Sequence, residues 1–432
     1  MIKIRGFILK LLKSNFLFLC FIFFFSLYMF QNSLLYADDI CLHFISDGIK
    51  IYKNFYYGSW VMEMQNLIFY YIPYTLGINL QDWALNTAGI FKSFVMTGIV
   101  YCYLKLAELH INSKIINYCM VFIIYFAVLY YIQKALMADI IILEGFIRFI
   151  LPCALTLCFL YKLYKTVLYK IQPDILLYIC AFICSSASEI SAFICIITVL
   201  NLIIGDVLLK INRQLIKQKI YILAVLILGM IFLACSSGFL LHFTDKYNSG
   251  TGEVINIFHN IKPFNQLFYK KLILDFRFLY IILFVLIGLT YKKTSKMQIL
   301  FPLYIVLSCL LFCYSLITIG YCEYDNNFWL NHSDIYSIIV PLMYFACFIS
   351  FCNYLSQVRD NKINIINYII VIAAILIVPQ MINTSQLIHY RLLNTRNFVY
   401  LRDKITLFYA YENKTVIIPD IAFRSLSNYL VL

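Results

Sequence analysis

Apolar runs of about 20 residues recur along nearly the whole chain, separated by short segments that hold most of its charge. A backbone in hydrocarbon must satisfy its own polar groups, so a chain patterned this way folds as a bundle of membrane-crossing helices. Composition agrees. Of 432 residues, 63% are hydrophobic and 13% charged, outside the range of water-soluble domains. The expected fold class is therefore an all-α polytopic membrane protein.

Eleven spans are expected, at about residues 15–36, 85–104, 115–132, 149–164, 174–187, 190–209, 220–241, 276–291, 297–318, 335–355 and 364–381. The tract 175–209 is too long for one helix, and Ser185-Ser186-Ala187-Ser188-Glu189 divides it. Residues 1–381 then form one transmembrane domain with a first outer loop at 37–84, and 382–432 form an extracytoplasmic tail. Within the first loop, 67–74 is apolar but too short to cross. Its aromatics Phe69, Tyr70, Tyr71 and Tyr74 suit the headgroup belt.

Orientation comes from the basic residues. The net charge of +13 is spread over segments such as Lys3–Lys13, Lys162–Lys170, Lys210–Lys219 and Lys292–Lys296, not gathered into a nucleic-acid patch. The segments on one side hold 18 of the 34 Lys and Arg, but only Glu108, Asp174, Asp206 and Asp360 among 21 acids. The positive-inside bias makes that side cytoplasmic, with the N-terminus inside and the tail outside an inner (plasma) membrane. The basic start followed by Phe16–Phe30 also has signal-peptide character, but the run is long for one and is read as an uncleaved first span. Most of the 15 cysteines lie inside apolar runs, where Cys behaves as a small hydrophobe, and no spacing indicates a zinc or disulfide framework.

Chemistry-bearing residues collect in the outer loops. Asp38 and Asp39 follow the first span directly; they are either an ordinary polar stop or carboxylates held at the membrane surface. In the second role one could act as a general base, or the pair could bind a divalent cation such as Mg or Mn. Asp139 and Glu144 stand in the second outer loop, and Glu189 in the Ser-rich turn. Arg148, Lys270, Lys271 and Arg277 lie at the outer boundary, placed either to snorkel or to hold a phosphate. His242, His259 and His332 are scattered, and Asn248-Ser249-Gly250-Thr251-Gly252 lacks the lysine of a phosphate loop. Lys92 is the main charge within a span.

An acidic pair after the first span, a long outer loop with interfacial helices and a second acid in the next outer loop resemble the GT-C class of integral-membrane glycosyltransferases. The Ser-rich turn with Glu189, and an end reading as a polar helix over 390–402 and a short strand over 415–419, resemble bacterial members. The loop after the ninth span departs from that class, with His332 and Asp334 where a basic anchor is expected. The resemblance implies transfer of a sugar from a polyprenyl-phosphate carrier to a surface glycan, lipid or protein. It implies catalysis by Asp38 or Asp39, inversion in a single displacement, and no nucleic-acid partner. A lipid-linked oligosaccharide flippase or other transporter, and a surface-polysaccharide polymerase or ligase, stand as alternatives.

Overall fold

The computed structural model describes residues 15–33, 61, 64, 67–78, 80–135, 146–210, 213–235, 277–291, 295–318, 333–358 and 360–411. Among these the chain is helical and contains no strand. Among the described residues eleven helices of 13 residues or more occur, one over each expected apolar interval. They are α1 (Phe16–Phe30), α2 (Leu80–Glu108), α3 (Lys114–Ala135), α4 (Leu151–Tyr169), α5 (Ile175–Ala187) and α6 (Glu189–Leu208). They continue as α7 (Arg213–Ala234), α8 (Arg277–Thr290), α9 (Lys296–Thr318), α10 (Ser333–Leu355) and α11 (Asp360–Tyr411).

Six of these (α2, α4, α6, α7, α10 and α11) are long and apolar enough to cross a membrane, and the other five are shorter apolar helices over their described residues. The exterior has the same character. Phe24, Phe94, Ile175, Tyr368 and Leu376 face outward, an apolar surface that suits lipid and not water.

Local chemistry sets the boundaries. Asp174 caps α5 by accepting the Leu177 N–H at 2.8 Å. Ser188 is extended, accepts the Ile190 N–H at 3.2 Å and starts α6, so the Ser-rich turn divides the long apolar tract where expected. Pro152 stands in the first turn of α4, where its missing N–H costs nothing. Lys170 closes α4 with a left-handed φ of 51°.

Two expectations need correction. The last apolar span and the expected polar helix over 390–402 are not separate elements: α11 runs unbroken from Asp360 to Tyr411, 52 residues and so about 78 Å. No glycine and no proline follows Pro379 before Tyr411, so nothing stops the helix. The expected strand at 415–419 lies outside the described residues. The segment 67–74 forms a π-turn (Leu67–Tyr71) and one helical turn (Ile72–Thr75). There Phe69 is buried, not at the headgroup belt, because it packs among Ala88, Ile147 and Ala187.

Helix α10 is central. Of its Ile338–Leu355 stretch 83% is buried, against 17% for α7, which lies at the lipid-facing edge. It packs on α3, α4, α8 and α9, and Tyr103 of α2 donates to the Pro341 carbonyl at 2.7 Å between the rings of Phe345 and Phe348. Ser26–Tyr125 (2.6 Å) joins α1 to α3, and Thr198–Ser308 (3.0 Å) joins α6 to α9. These short polar side chains satisfy each other where no water is at hand.

The end bearing the α2–α3 loop is stitched by polar groups. Glu108 takes the Lys105 ammonium at 2.7 Å and the Asn15 amide, and Asn15 accepts from Tyr118 at 3.0 Å. Tyr164 gives its proton to Asn353 (2.9 Å), so its oxygen receives the Nε2–H of His110 at 3.2 Å. Burial lowers the His110 pKa to about 4 and keeps the ring neutral.

Candidate functional site

The opposite end of the bundle is built around Lys92. It lies on α2, and its side chain is wholly buried (0% exposed). Three residues earlier Gly89 lets α1 come close: a Cβ there would lie 2.7 Å from the Phe30 carbonyl oxygen. That approach brings Ser33, just past α1, within 3.1 Å of the Lys92 ammonium. The rings of Phe30 and Phe146 lie 5.8 and 5.6 Å from the same nitrogen and meet each other edge to face. Ring faces and a hydroxyl partly replace the water that the cation has lost.

Phe146 opens a π-helical turn, Phe146–Ile150, that leads into α4. Its neighbour Ile147 is buried with Val61, Phe69, Ala88 and Ala187. Trp83 on α2 fixes the 67–75 segment by donating from Nε1 to the Ile68 carbonyl at 2.9 Å. The stems of three loops therefore meet here: Ser33 precedes the segment 34–60, Phe146 follows the segment 136–145, and Ala187 precedes the Ser188-Glu189 turn. Ser191 also reaches the Pro152 carbonyl, at 3.4 Å, tying α6 to the start of α4.

The helix α11 joins the same end. His389 stacks on Tyr28 of α1 with ring centroids 4.6 Å apart, and its Nδ1 lies 2.9 Å from the Tyr28 carbonyl. Gln31 adds a longer contact to that nitrogen at 3.4 Å. The expected outer tail is thus, in its first part, a helical strut against the stem of the first loop.

Of the residues singled out from sequence, Glu189 is exposed in the first turn of α6, where the positive end of the helix favours a carboxylate. Arg148 lies in the π-turn beside Phe146. Arg277 begins α8, which packs on α10, and its guanidinium lies over the adjacent Phe278 ring at 5.1 Å. Asp38, Asp39, Asp139, Glu144, Lys270, Lys271, His242, His259, His332 and 248–252 lie outside the described residues. Among the described residues no group of three or more His, Cys, Asp or Glu could hold a metal ion, and the cysteines there are free thiols.

The role of Lys92 was not foreseen. Its signal was plain: one charge inside an apolar run, three residues after a glycine. What the sequence did not tell is that Ser33 and Phe146 meet it from 59 and 54 positions away.

Comparison with protein-family models, with curated proteins and with solved structures finds no match for the chain.

Proposed function

We propose that the chain is a GT-C-type integral-membrane glycosyltransferase of the bacterial cell envelope. It has eleven spans, a cytoplasmic N-terminus and an extracytoplasmic active face. The observation that carries the reading is the meeting of two loop stems at the buried Lys92 ammonium, with a third, at Ala187, in the apolar cluster that adjoins Phe146 through Ile147. A sugar leaving a polyprenyl phosphate needs an acceptor deprotonated on one side and a phosphate stabilised on the other. Asp38 or Asp39 takes the acceptor hydroxyl's proton. Lys92 supplies positive charge to the departing phosphate, joined by Arg148, Lys270, Lys271 or Arg277. Asp139, Glu144 and Glu189 are the candidate second acids, and a Mg or Mn ion between carboxylates would serve the same charge balance.

A flippase is the second reading, and Lys92 is its support: a buried cation within a span is also what a translocation pathway uses. One experiment separates the two. A deletion strain is complemented with wild type, Asp38→Asn, Asp39→Asn or Lys92→Met, and its surface glycans are weighed by mass spectrometry alongside membrane protein levels. Transfer predicts loss of one sugar, with the lipid-linked donor stranded on the outer leaflet and open to periodate. A flippase predicts the same loss with the donor stranded inside and protected. Full restoration of the glycan by all three variants at normal protein levels would overturn the catalytic assignment.

A further inference from the structure

The basic end of the bundle contains a cavity of about 150 Å³, between the ends of α4, α6, α7 and α9. One water needs only roughly 10–15 Å³ of such space, so the cavity admits a larger guest. Its polar lining is Thr166, Lys170, Asp206, Gln218, Lys219, Ser295 and Lys296; the rest is apolar. Asp206 is wholly buried (0% exposed), and its Oδ2 accepts from the Lys219 ammonium. Its Oδ1 is buried with no hydrogen-bond partner. A buried carboxylate oxygen left this way calls for a donor.

The lining is positive overall, with three lysines against one carboxylate, which favours an anion. Yet the one unfilled polar atom is an acceptor, so a bare anion does not complete the site. Lys170, in the lining, closes α4 with a left-handed φ of 51°, a conformation that Lys210 shares just past α6. Lys170, Lys219 and Lys296, one from each of three basic stretches of the sequence, line this place, which the positive-inside bias sets at the inner-leaflet headgroups.

We propose that this cavity binds a phosphate group carrying a neighbouring hydroxyl or amine, the phosphate on Lys170 and Lys296 and the donor on Asp206 Oδ1. The group is either the headgroup of an inner-leaflet phospholipid or a soluble phosphomonoester. The proposal stands whether or not the outer end transfers sugar.

The test uses the purified full-length chain. Native mass spectrometry reads retention of phosphatidylglycerol, which offers hydroxyl donors, against phosphatidylcholine, which offers none. Thermal unfolding with glycerol 3-phosphate reads the soluble source. Wild type should retain phosphatidylglycerol about tenfold better, the equivalent of one charge-assisted hydrogen bond. Lys170→Gly, which removes the charge while relieving the helix end, and Lys296→Gln should each lower retention of both lipids. Asp206→Asn should bring the two lipids level, and the two lysine variants cover the case in which it fails to fold. Stabilisation by glycerol 3-phosphate without lipid preference, lost in the same variants, assigns the site to a soluble ligand. Equal retention of both lipids by wild type and variants, with no effect of glycerol 3-phosphate, overturns the proposal.

Discussion

Two lysines are withdrawn from water at opposite ends of this bundle, and the protein treats them differently. Lys219 is neutralised: Asp206 lies against it, and its side chain keeps 11% exposure. Lys92 has no exposure, and a hydroxyl and two ring faces stand around its ammonium. A carboxylate offsets the charge of a buried cation, and a hydroxyl and aromatic faces lower the cost of burying one. The first arrangement holds helices α6 and α7 together. The second sits among the loop stems, where the transfer proposed above would draw on its charge.

The sharpest way to break this comparison is to orphan the neutralised lysine. Asp206→Asn leaves the Lys219 ammonium without its charge partner and should cost about 3–5 kcal/mol of stability. Unfolding of the purified protein in detergent measures it. Replacing both residues with apolar ones (Asp206→Leu with Lys219→Met) should recover most of the loss, because the burial penalty goes with the pair. A loss under about 1 kcal/mol for the single variant would mean that Lys219 is solvated like a surface pair. The exposed pair Lys162–Asp174, 3.1 Å apart with Asp174 61% exposed, gives that reference.

At the other end the expected effect is on transfer. Lys92→Met should lower the surface sugar per folded molecule by about 100-fold or more, the usual cost of deleting one preorganised charge stabiliser, or near 2.7 kcal/mol of barrier. Lys162→Ala should change it less than about twofold, since an exposed pair contributes little. Equal losses from both lysines would erase the distinction between the ends.

The helix intervals were legible because apolar run length is a direct physical requirement of a bilayer. Even the α5–α6 division could be read, since Ser188 is a good N-cap inside an otherwise unbroken tract. The end of α11 was not legible: the expectation stopped where hydropathy falls, but a helix stops only where a residue stops it. The candidate sites divide the same way. Lys92 announced itself as a charge in an apolar run. The cavity beside Asp206 did not, because it is assembled from the ends of four helices, and Asp206 had counted only as one of the few acids on the basic side.

A smaller effect tests how Ser33 reaches Lys92. Gly89→Ala places a Cβ 2.7 Å from the Phe30 carbonyl oxygen. A backbone atom is the one neighbour that cannot turn aside, so α1 must move off α2, at about 1–3 kcal/mol. The Lys92–Ser33 contact should open with it and transfer should fall. Gly98→Ala on the same helix meets nothing within 4 Å, so it should instead stabilise by about 0.5–1 kcal/mol. Unfolding midpoints of the two variants decide this, and similar shifts of one sign would show that the close approach at Gly89 does not hold the helices in place.

The smallest expected effect belongs to the neutral ring at the basic end. His110 has a pKa lowered to about 4 by burial, while an unfolded histidine titrates near 6.5. Between those values the unfolded chain binds a proton that the folded chain refuses. Stability is therefore complete above about pH 6.5 and falls as the pH drops toward 4, by on the order of 1–2 kcal/mol. His110→Gln can still donate an N–H to Tyr164 and has no charge to gain, so its stability should be flat over that window. Unfolding midpoints of the two proteins from pH 7.5 to 4.5 measure the difference. If both fall in parallel, the decline comes from other titrating groups, and the His110–Tyr164–Asn353 chain is hydrated. If only the wild type falls, this end is dry enough at its polar stitches to refuse even one proton.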